Sequence, residues 1–515
     1  MELANQRVLV LGLGQSGLSM ARHLLAAGAV VSAADTRAAP PGLAEFRALC
    51  GQASVHLGPL DADVFAQCDA VAVSPGVPVA GPQTDPAVAA ARDRGLPFLG
   101  DIELFAHALA RAAAAGGYRP RVLAVTGTNG KTTVTSLAAH LAARTGRHAV
   151  AAGNIGPAAL DAWHDAVAAD ALPDIWVLEL SSFQLETTAS LRADAAAMLN
   201  LSEDHLDRHG SMEAYGAAKA RIFANGAIQV LNRDDARSMG MKRPFAPRNR
   251  RDVAPPVFTF GTDAPVHATD FGLIRDARPG GMMWLARGNS DETGEASAAP
   301  RRLMPQDALK IRGAHNAANA LAALALCCAI DLPLAPMLKA LTEYAGLPHR
   351  VQGIAEIGGV HYVDDSKGTN VGATIAALRG LGAVVPQGGR IVLIAGGEGK
   401  GQDFAPLAEP VARHCRAVML IGRDAGLIRG ALGERVPVFD CASLEEAVRG
   451  AAERAAPGDT VLLSPACASY DMFRDYGHRA EVFAAAAREV ARARQEATQA
   501  DGDTQPVTST GGGDA

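Results

Sequence analysis

A glycine-rich segment followed by a lysine and two threonines carries the strongest chemical signal in this sequence. An apolar run, Val122–Val125, precedes the turn Gly127-Thr-Asn-Gly130, and Lys131-Thr132-Thr133 then opens a helical pattern. A strand, a glycine-rich loop and a helix N-terminus in this order bind phosphate, because the loop N–H groups and the helix dipole both face the anion. The lysine can reach the terminal phosphates and Thr132 can ligate Mg²⁺. The segment therefore predicts an ATP site, with a βα turn that carries a surface lysine as the alternative.

Two other polar residues stand where predicted buried strands end. Glu179 closes the apolar run Ile175–Leu178, and His205 lies in a polar cluster just past Ala195–Leu199. A carboxylate at the C-terminal end of a strand beside a phosphate loop is well placed to hold Mg²⁺, and a histidine so placed could ligate a second metal. A solvated strand cap and a structural histidine are the alternatives that the residues leave open.

A lysine falls on the buried face of a predicted helix. Within the helix predicted over Ser211–Ala224, Lys219 shares a face with Tyr215, Ile222 and Phe223 by i, i+3, i+4 spacing. Burial depresses the pKa of a lysine and leaves a neutral, nucleophilic amine. Such an amine can take up CO₂ and become a carbamate, which is a carboxylate-like metal ligand. The alternative is a side chain that extends past the apolar face and keeps its ammonium in water.

A second glycine-rich turn lies near the N-terminus. The turn Gly12-Leu13-Gly14-Gln15-Ser16-Gly17 stands between a strand and the helical run Leu18–Ala27, and Asp35 ends the next strand. This is close to a dinucleotide-binding fingerprint, with the acidic residue placed for a ribose hydroxyl. It predicts a nucleotide diphosphate at the helix N-terminus, with a tight turn that holds no ligand as the alternative. Another turn, Ser74-Pro75-Gly76, could form a wall of the same crevice.

Composition limits the classes of protein and partner. The 515 residues suggest about three domains, and 49% hydrophobic with 20% charged residues is ordinary for a globular protein. A net charge of −6 without a long basic run argues against nucleic acid as a partner. The 7 cysteines include no C-x-x-C pair, which argues against a zinc ribbon and favours reduced thiols. No signal peptide or membrane-length apolar stretch is visible, so a cytoplasmic protein without a membrane partner is expected.

Strand and helix patterns alternate along three blocks, which predicts an α/β fold of parallel sheets covered by helices. The predicted domains are a Rossmann-like N-terminal domain over residues 1–100, a central P-loop ATPase-type parallel sheet over 101–346, a Rossmann-like C-terminal domain over 347–495 and a disordered tail over 496–515. Within the central block, Gly261–Leu303 is polar and alternating. It predicts an antiparallel hairpin that carries an insertion over Gly288–Arg302.

Taken together and in order, these motifs resemble those of the Mur ligases, ATP-dependent amide-forming enzymes of peptidoglycan synthesis to which folylpolyglutamate synthetases are related. The resemblance covers about residues 7–490 and rests on the phosphate loop with Glu179, His205, Tyr215–Lys219, His315-Asn-x-x-Asn319, His349-Arg350, Asp364–Asn370, Gly396–Lys400, Leu463–Tyr470 and Asp35-Thr36-Arg37. It implies the addition of D-glutamate to UDP-N-acetylmuramoyl-L-alanine, with ATP as co-substrate and two Mg²⁺ ions. A monomer is expected.

The resemblance also implies roles for individual residues. The ATP-binding set is Gly127, Thr128, Asn129, Gly130, Lys131, Thr132, Thr133, Asn319, Arg350 and Asp365. The set for the UDP-linked substrate is Gly14, Gln15, Ser16, Thr36, Arg37, Ser74, Gly76, Asn154 and His205. The D-glutamate set is Lys367, Thr369, Lys400, Ser469 and Tyr476. The metal set is Thr132, Glu179, His205 and Lys219 as its CO₂ carbamate, and the catalytic set is Lys131, Glu179, His205 and Lys219.

Two other classes of function compete with this interpretation. A related ligase that adds another amino acid or extends folate would keep the central block, but Asp35-Thr36-Arg37 and Asp365-Ser366-Lys367 favour D-glutamate. A nicotinamide-dependent dehydrogenase or a nucleotide-sensing regulator could be built on the first glycine turn. That class would leave four residues without a purpose: Lys131, Glu179, His205 and Lys219.

Overall fold

The computed structural model describes residues 2–244, 254–278, 281–289, 299–311, 313–382, 385 and 388–503. The chain divides into two compact units, Met1–Ala345 and Gly346–Ala515. Among the described helices, none is long and apolar enough to cross a membrane. Strands and helices alternate along the chain, and the strands form three sheets that are each mainly parallel. The predicted α/β class is therefore confirmed.

The N-terminal part of the first unit is a 5-stranded parallel sheet in the order β3-β2-β1-β4-β5. Its strands are β1 Arg7–Leu11, β2 Val30–Asp35, β3 Val55–Leu57, β4 Ala70–Val73 and β5 Phe98–Leu99. Its helices are α1 Gln15–Ala26, α2 Leu43–Cys50, α3 Pro86–Asp93 and α4 Asp101–Gly116, with a 3₁₀ turn at Asp63–Phe65. The strand order reverses between β1 and β4, so a crevice opens beyond their carboxyl ends, where open α/β sheets bind ligands.

The rest of the first unit is built on a 9-stranded sheet in the order β14-β13-β12-β11-β10-β9-β6-β8-β7. Its strands are β6 Arg121–Thr126, β7 Ala149–Gly153, β8 Ile175–Glu179, β9 Ala195–Met198, β10 Ile228–Asn232, β11 Phe258–Phe260, β12 Asp270–Arg275, β13 Met283–Arg287 and β14 Arg301–Pro305. Its helices are α5 Lys131–Arg144, α6 Ala159–Ala168, α7 Ser182–Glu186, α8 Leu206–His209, α9 Met212–Ala220, α10 Ala236–Gly240, α11 Ala314–Cys328 and α12 Leu334–Glu343, with 3₁₀ turns at Arg221–Phe223 and Gln306–Ala308. Strands β6 and β8 are buried almost throughout, as expected where helices cover both faces of a parallel sheet.

At one edge of this sheet the strands are antiparallel rather than parallel. Strands β12, β13 and β14 pair antiparallel, which confirms the antiparallel arrangement predicted for this stretch. Arg301 and Arg302 already belong to β14, so the predicted insertion ends earlier than the sequence suggested. Its residues 290–298 lie outside the described residues.

The second unit is a 6-stranded sheet in the order β15-β16-β20-β17-β18-β19, parallel except for the β15–β16 pair. Its strands are β15 Gln352–Ile357, β16 Val360–Asp364, β17 Ile391–Gly396, β18 Cys415–Ile421, β19 Val438–Asp440 and β20 Thr460–Leu463. Its helices are α13 Val371–Gly382, α14 Ala408–His414, α15 Ala425–Leu432, α16 Leu444–Arg454 and α17 Tyr476–Asp503, with a 3₁₀ turn at Ala405–Leu407. Helix α17 continues through 496–503, where the sequence predicted the start of a disordered tail. Residues 504–515 lie outside the described residues.

A pair of histidines joins the helices of the first two sheets. His23 on α1 is 2% exposed, and its Nδ1 lies 3.2 Å from Nε2 of His164 on α6. Burial, together with the nearby His164, Arg111 and His107, lowers the pKa of His23 to about 4. Burial of His23 between α1 and α6 therefore keeps its imidazole neutral at ordinary pH.

This depressed pKa predicts a loss of stability in mild acid. Because the pKa of His23 in the folded chain lies below its ordinary value of 6.5, the unfolded chain takes up the proton first as pH falls. The stabilisation is complete above pH 6.5 and is lost between there and about 4, and by pH 5 the loss should be roughly 2 kcal/mol. Urea unfolding of the wild type and of His23→Gln, each at pH 7 and pH 5, measures the difference. An equal drop in both proteins would show that His23 does not carry this dependence.

Candidate functional site

The phosphate loop has a backbone that requires its glycines. Gly127 has a φ of +154° and Gly130 a φ of +83°. A Cβ on Gly127 would lie 2.9 Å from Cβ of Leu199, and one on Gly130 would lie 2.6 Å from Oδ1 of Asn319. Helix α5 begins directly after Gly130, so its free N–H groups face the loop as an anion site requires.

A residue to which the sequence assigned no role holds this loop in place. Asn200, which follows β9, accepts the N–H of Thr128 on its carbonyl oxygen at 2.9 Å and that of Asn129 on its side-chain oxygen at 2.8 Å. Its amide also donates to the carbonyl oxygen of Asn129 at 3.0 Å. The position of Asn200 directly after a buried strand was the signal that could have identified it. The loop is therefore anchored to its neighbouring strand.

The lysine of the loop folds back onto the loop itself. The Nζ of Lys131 donates to the carbonyl oxygens of Gly127 at 2.9 Å and Thr128 at 2.8 Å. Its positive charge therefore lies at the loop, as expected of a residue that meets phosphates there.

Lys219 lies beneath the same loop. It is 1% exposed, and its Nζ donates to the carbonyl oxygen of Gly127 at 2.8 Å. The amine also stands 4.8 Å from the ring centroid of Tyr215. Burial, with the positive charge of Lys131, holds the pKa of Lys219 well below its ordinary value. The buried face predicted for this helix is confirmed, and the alternative of an ammonium that reaches water is excluded.

Glu179 is a buried carboxylate beside the loop strand. It pairs in register with Val125 of β6 and is 1% exposed, so it is not a solvated cap. Its Oε1 accepts a hydrogen bond from the side-chain amide of Asn154, while its Oε2 is buried without a partner among the described residues. A buried carboxylate oxygen without a donor is costly. A cation bound at Oε2 would remove that cost, so the residues fit a metal ion.

His205 sits at a strained position among aromatic rings. Its φ is +55°, which is uncommon for a residue other than glycine and occurs at functional sites. Its ring centroid lies 4.8 Å from that of Phe183 and 6.4 Å from that of Tyr215. Within the part of the chain that the structure describes, no group of three or more His, Cys, Asp or Glu side chains forms a metal site. A second metal at His205 would therefore depend on the carbamate of Lys219.

The turn at the crevice of the first sheet is tightly closed. A Cβ on Gly17 would lie 2.0 Å from the carbonyl oxygen of Gly12, whereas one on Gly14 would meet nothing within 4 Å. The hydroxyl of Ser74 donates to the carbonyl oxygen of Gly12 at 2.7 Å. The two turns that the sequence assigned to one crevice thus lie together.

The side-chain oxygens of Asp35 accept hydrogen bonds from nearby groups of the protein. Its side chain accepts the N–H of Leu13 at 2.7 Å and two guanidinium bonds from Arg37, at 2.8 Å and 2.7 Å. Although burial opposes ionisation, these hydrogen bonds lower the pKa of Asp35. The sequence placed this carboxylate for a ribose hydroxyl. In the structure it fixes the turn and orients Arg37, which is half-exposed at the crevice.

In the second unit, two of the predicted residues, Asp365 and Lys367, lie on the loop that follows β16. Asp365 is 7% exposed and accepts a 2.7 Å hydrogen bond from the hydroxyl of Ser464, and burial raises its pKa to about 7. The Nζ of Lys367 stands 3.6 Å from the ring centroid of Tyr476, and His349 contacts Asp364 at 2.7 Å. The structure thus brings Lys367 and Tyr476 together, as expected if they serve one pocket.

A buried arginine that the sequence left without a role ties this loop to α17. Arg479 is 0% exposed and donates to the hydroxyl and the carbonyl oxygen of Ser366 at 3.0 Å and 2.8 Å, and to the carbonyl oxygen of Cys467 at 3.2 Å. An arginine next to Ala480 and near Phe483, within an apolar helix face, was the available signal. The Lys367 and Ser469 segments are therefore fixed to the same helix.

These features define a class of α/β proteins in which a phosphate loop and a second glycine-rich turn follow strands of mainly parallel sheets. Three family models match the chain: Mur ligase MurD-like, N-terminal domain, over residues 6–100, Mur ligase middle domain over 125–327, and Mur ligase, glutamate ligase domain, over 349–467. The chain belongs to the Mur ligase family, and the predicted resemblance is confirmed.

Curated relatives are similar along nearly the whole chain. The UDP-N-acetylmuramoylalanine–D-glutamate ligase of Cupriavidus pinatubonensis is 53% identical over 514 residues, which covers 96% of this chain and 99% of that protein. The ligase of the same name from Burkholderia thailandensis is 53% identical, with 94% and 97% covered.

Solved structures support the fold. UDP-N-acetylmuramate-alanine ligase from Thermotoga maritima superposes with a TM-score of 0.57 at 20% identity, covering 94% of this chain and 100% of that one. A MurF ligase from Thermotoga maritima in complex with ADP gives a TM-score of 0.54 at 16% identity, covering 95% and 96%. At these identities the likeness concerns the fold alone.

Proposed function

We propose that this protein is an ADP-forming carbon–nitrogen ligase that adds D-glutamate to UDP-N-acetylmuramoyl-L-alanine in peptidoglycan precursor synthesis. The observation that carries the proposal is the 53% identity over 514 residues to a ligase with that name. The intact phosphate loop, with Lys131 and the buried Glu179 beside it, supplies the chemical support.

The reaction follows from activating a carboxylate. The carboxylate of the UDP-linked substrate attacks the γ-phosphorus of ATP, the bond to the bridging oxygen breaks, and ADP leaves. The acyl phosphate is then attacked by the amine of D-glutamate, and the tetrahedral intermediate loses phosphate to give the amide, with one proton released. The rate enhancement comes mainly from positioning and fixed charge, so no protein nucleophile is needed.

Residues of the first unit are assigned to the nucleotide substrates. Loop N–H groups and Lys131 would bind the ATP phosphates, and Asn319 lies against the loop at Gly130. The turn at Gly14 would accept the diphosphate of the UDP-linked substrate, near Arg37. In the second unit, Arg350 and Asp365 are assigned to the nucleotide. The residues assigned to D-glutamate are those that the family resemblance implies: Lys367, Thr369, Lys400, Ser469 and Tyr476.

Divalent ions are assigned to the residues that fit them. Thr132 and Glu179 would hold one Mg²⁺, and His205 with carbamylated Lys219 a second. When bound, Mg²⁺ neutralises charge that develops on the transferred phosphoryl group. The buried Oε2 of Glu179 and the buried amine of Lys219 support these assignments.

We also infer a cytoplasmic monomer. The 7 cysteines are all free thiols, which suits a reducing compartment.

Phosphate release from ATP tests the function directly. With UDP-N-acetylmuramoyl-L-alanine present, release should require D-glutamate and should not occur with L-glutamate, L-lysine, meso-diaminopimelate or D-alanyl-D-alanine. Release with another amine donor would keep the ligase chemistry but reject the assignment of D-glutamate. Absence of release with every donor would reject the ligase function.

The two glycines of the first turn should respond differently to the same change. Gly17→Ala places a methyl against the carbonyl oxygen of Gly12, so it should lower the free energy of unfolding by on the order of 3 kcal/mol. Gly14→Ala places its methyl in open space, so it should unfold like the wild type. If the diphosphate lies at this turn, Gly14→Ala should still raise the KM for the UDP-linked substrate by roughly tenfold, about 1.4 kcal/mol. Urea unfolding and steady-state kinetics separate the two effects, and an unchanged KM would remove the diphosphate from this turn.

A further inference from the structure

A buried arginine joins the first two sheets of the chain. Arg208 on α8 is 4% exposed, and its guanidinium reaches the loop that follows β4. Its Nη1 donates to the carbonyl oxygens of Pro75 at 3.4 Å and Gly76 at 3.5 Å, and its Nη2 donates to that of Val77 at 3.2 Å. Consecutive carbonyl groups at the turn Ser74-Pro75-Gly76 therefore face one cation.

This contact fixes the direction of an N–H group on the turn. In a planar trans peptide the N–H points opposite to the carbonyl, so the N–H of Gly76 points away from Arg208 when the carbonyl of Pro75 points toward it. Gly76 is exposed, and its N–H has no acceptor among the described residues. A Cβ built on Gly76 would meet nothing within 4 Å. The N–H thus faces open space, where a ligand on the turn can accept it.

The same arginine is linked to His205 through an aromatic ring. The guanidinium carbon of Arg208 lies 4.7 Å from the ring centroid of Phe183, and that centroid lies 4.8 Å from the ring centroid of His205. The carbonyl oxygen of His205 also accepts the backbone N–H of Arg208 at 3.1 Å. Because protein interiors are close-packed, a displaced guanidinium would shift the ring that contacts His205.

The surroundings of Arg208 allow it little movement. Its Nη2 forms a buried ion pair with Oε2 of Glu186 at 2.7 Å. On the backbone side, a Cβ on Gly81 would lie 2.5 Å from the carbonyl oxygen of Arg208, so the loop after β4 packs directly against α8. The Nε of Arg208 is buried without a partner in the part of the chain that the structure describes. An orphaned buried donor costs stability, so stability alone does not account for an arginine here.

We propose that Arg208 is a positioning residue that couples the turn Ser74-Pro75-Gly76 to His205. On one side the guanidinium keeps the N–H of Gly76 directed at the UDP-linked substrate, and on the other it holds His205 in place through Phe183. Arg208 itself touches neither substrate nor ATP. The inference rests on the proposed function, which assigns both the turn and His205 to UDP-N-acetylmuramoyl-L-alanine.

Arg208→Lys tests the coupling while it keeps the charge beside Glu186. A single ammonium lacks the planar fork that reaches a carboxylate and several carbonyl oxygens at once. We expect the Kd for UDP-N-acetylmuramoyl-L-alanine, titrated calorimetrically without ATP, to rise roughly tenfold and kcat for phosphate release to fall by a similar factor, whereas the Kd for ADP stays unchanged. A merely structural role would lower the free energy of unfolding in urea and leave the Kd of the folded chain as it was. Wild-type values for the substrate Kd and kcat would overturn the coupling.

Phe183→Leu tests the path to His205 separately. Leucine keeps an apolar side chain but removes the ring that contacts both Arg208 and His205. This variant should lower kcat and leave the Kd for the UDP-linked substrate unchanged. If the ring transmits the effect, the double variant with Arg208→Lys should lose less kcat than the product of the two single losses, since contacting residues are not additive. A loss equal to that product would overturn transmission through Phe183.

Arg233→Lys is the matched control. Arg233 is also an arginine paired with a carboxylate and a carbonyl oxygen, through Nη2 to Asp263 at 2.6 Å and to Phe271 at 3.0 Å, at the other side of the central sheet. It should keep the wild-type Kd for the UDP-linked substrate and the wild-type kcat. Equal changes in Arg233→Lys and Arg208→Lys would overturn the specific role of Arg208. A wild type that neither binds this substrate nor releases phosphate would instead be a failure of the proposed function.

Discussion

Lys219→Ala is expected to lower kcat by roughly 1,000-fold, or about 4 kcal/mol, and short carboxylates should restore part of it. The reason is that a carbamate on this buried amine would supply a carboxylate-like ligand beneath the phosphate loop, where Lys219 contacts Gly127. Alanine leaves a space that formate or acetate can enter. Phosphate release with and without these carboxylates measures the rescue.

Two controls separate the carbamate from a structural role of Lys219. Lys339→Ala, on the exposed side of α12, should behave as the wild type with or without acetate. Wild-type activity should fall in CO₂-depleted buffer and return with bicarbonate. If carboxylates restore nothing and CO₂ depletion changes nothing, the carbamate is rejected, and Lys219 serves only to support the loop.

Lys131→Ala should lower catalytic activity by a similar factor, but for a different physical reason. Removing the ammonium that we assign to the ATP phosphates should lower kcat/KM for ATP by roughly 1,000-fold, because the charge of the transferred phosphoryl group would then be less neutralised. Acetate should not restore this variant, since the missing group is a cation. Lys339→Ala again provides the matched control, at an exposed lysine of α12. Titration of UDP-N-acetylmuramoyl-L-alanine into Lys131→Ala should give the wild-type Kd, and a large change there would point to a loss of folding.

Lysine 131 in the structure also predicts how the loop changes on binding. Its Nζ is bound to the carbonyl oxygens of Gly127 and Thr128, so contact with the ATP phosphates would compete with these bonds. We expect Lys131→Ala to weaken ADP binding by a smaller factor than it lowers kcat. Only the transition state concentrates charge on the transferred group, so the lysine contributes most there. Comparison of the Kd for ADP with kcat measures this difference.

Much of this protein was determined by its sequence alone. Alternating apolar runs and helical patterns depend on neighbours a few residues apart, so β6, the loop at Gly127 and α5 could be predicted from one stretch. The buried face of α9, with Lys219 on it, followed from helical spacing in the same way. The family resemblance depended on such local motifs in their order, and the family models confirm it.

Only the tertiary structure decided what each charged group meets. The bonds of Lys219 to Gly127, of Asn154 to Glu179 and of Arg479 to Ser366 join residues far apart in the chain. No periodicity encodes such contacts, because they depend on which strands become neighbours and on where loops meet. For the same reason, the sequence placed Asp35 for a ribose hydroxyl, whereas folding brings Leu13 and Arg37 to its oxygens.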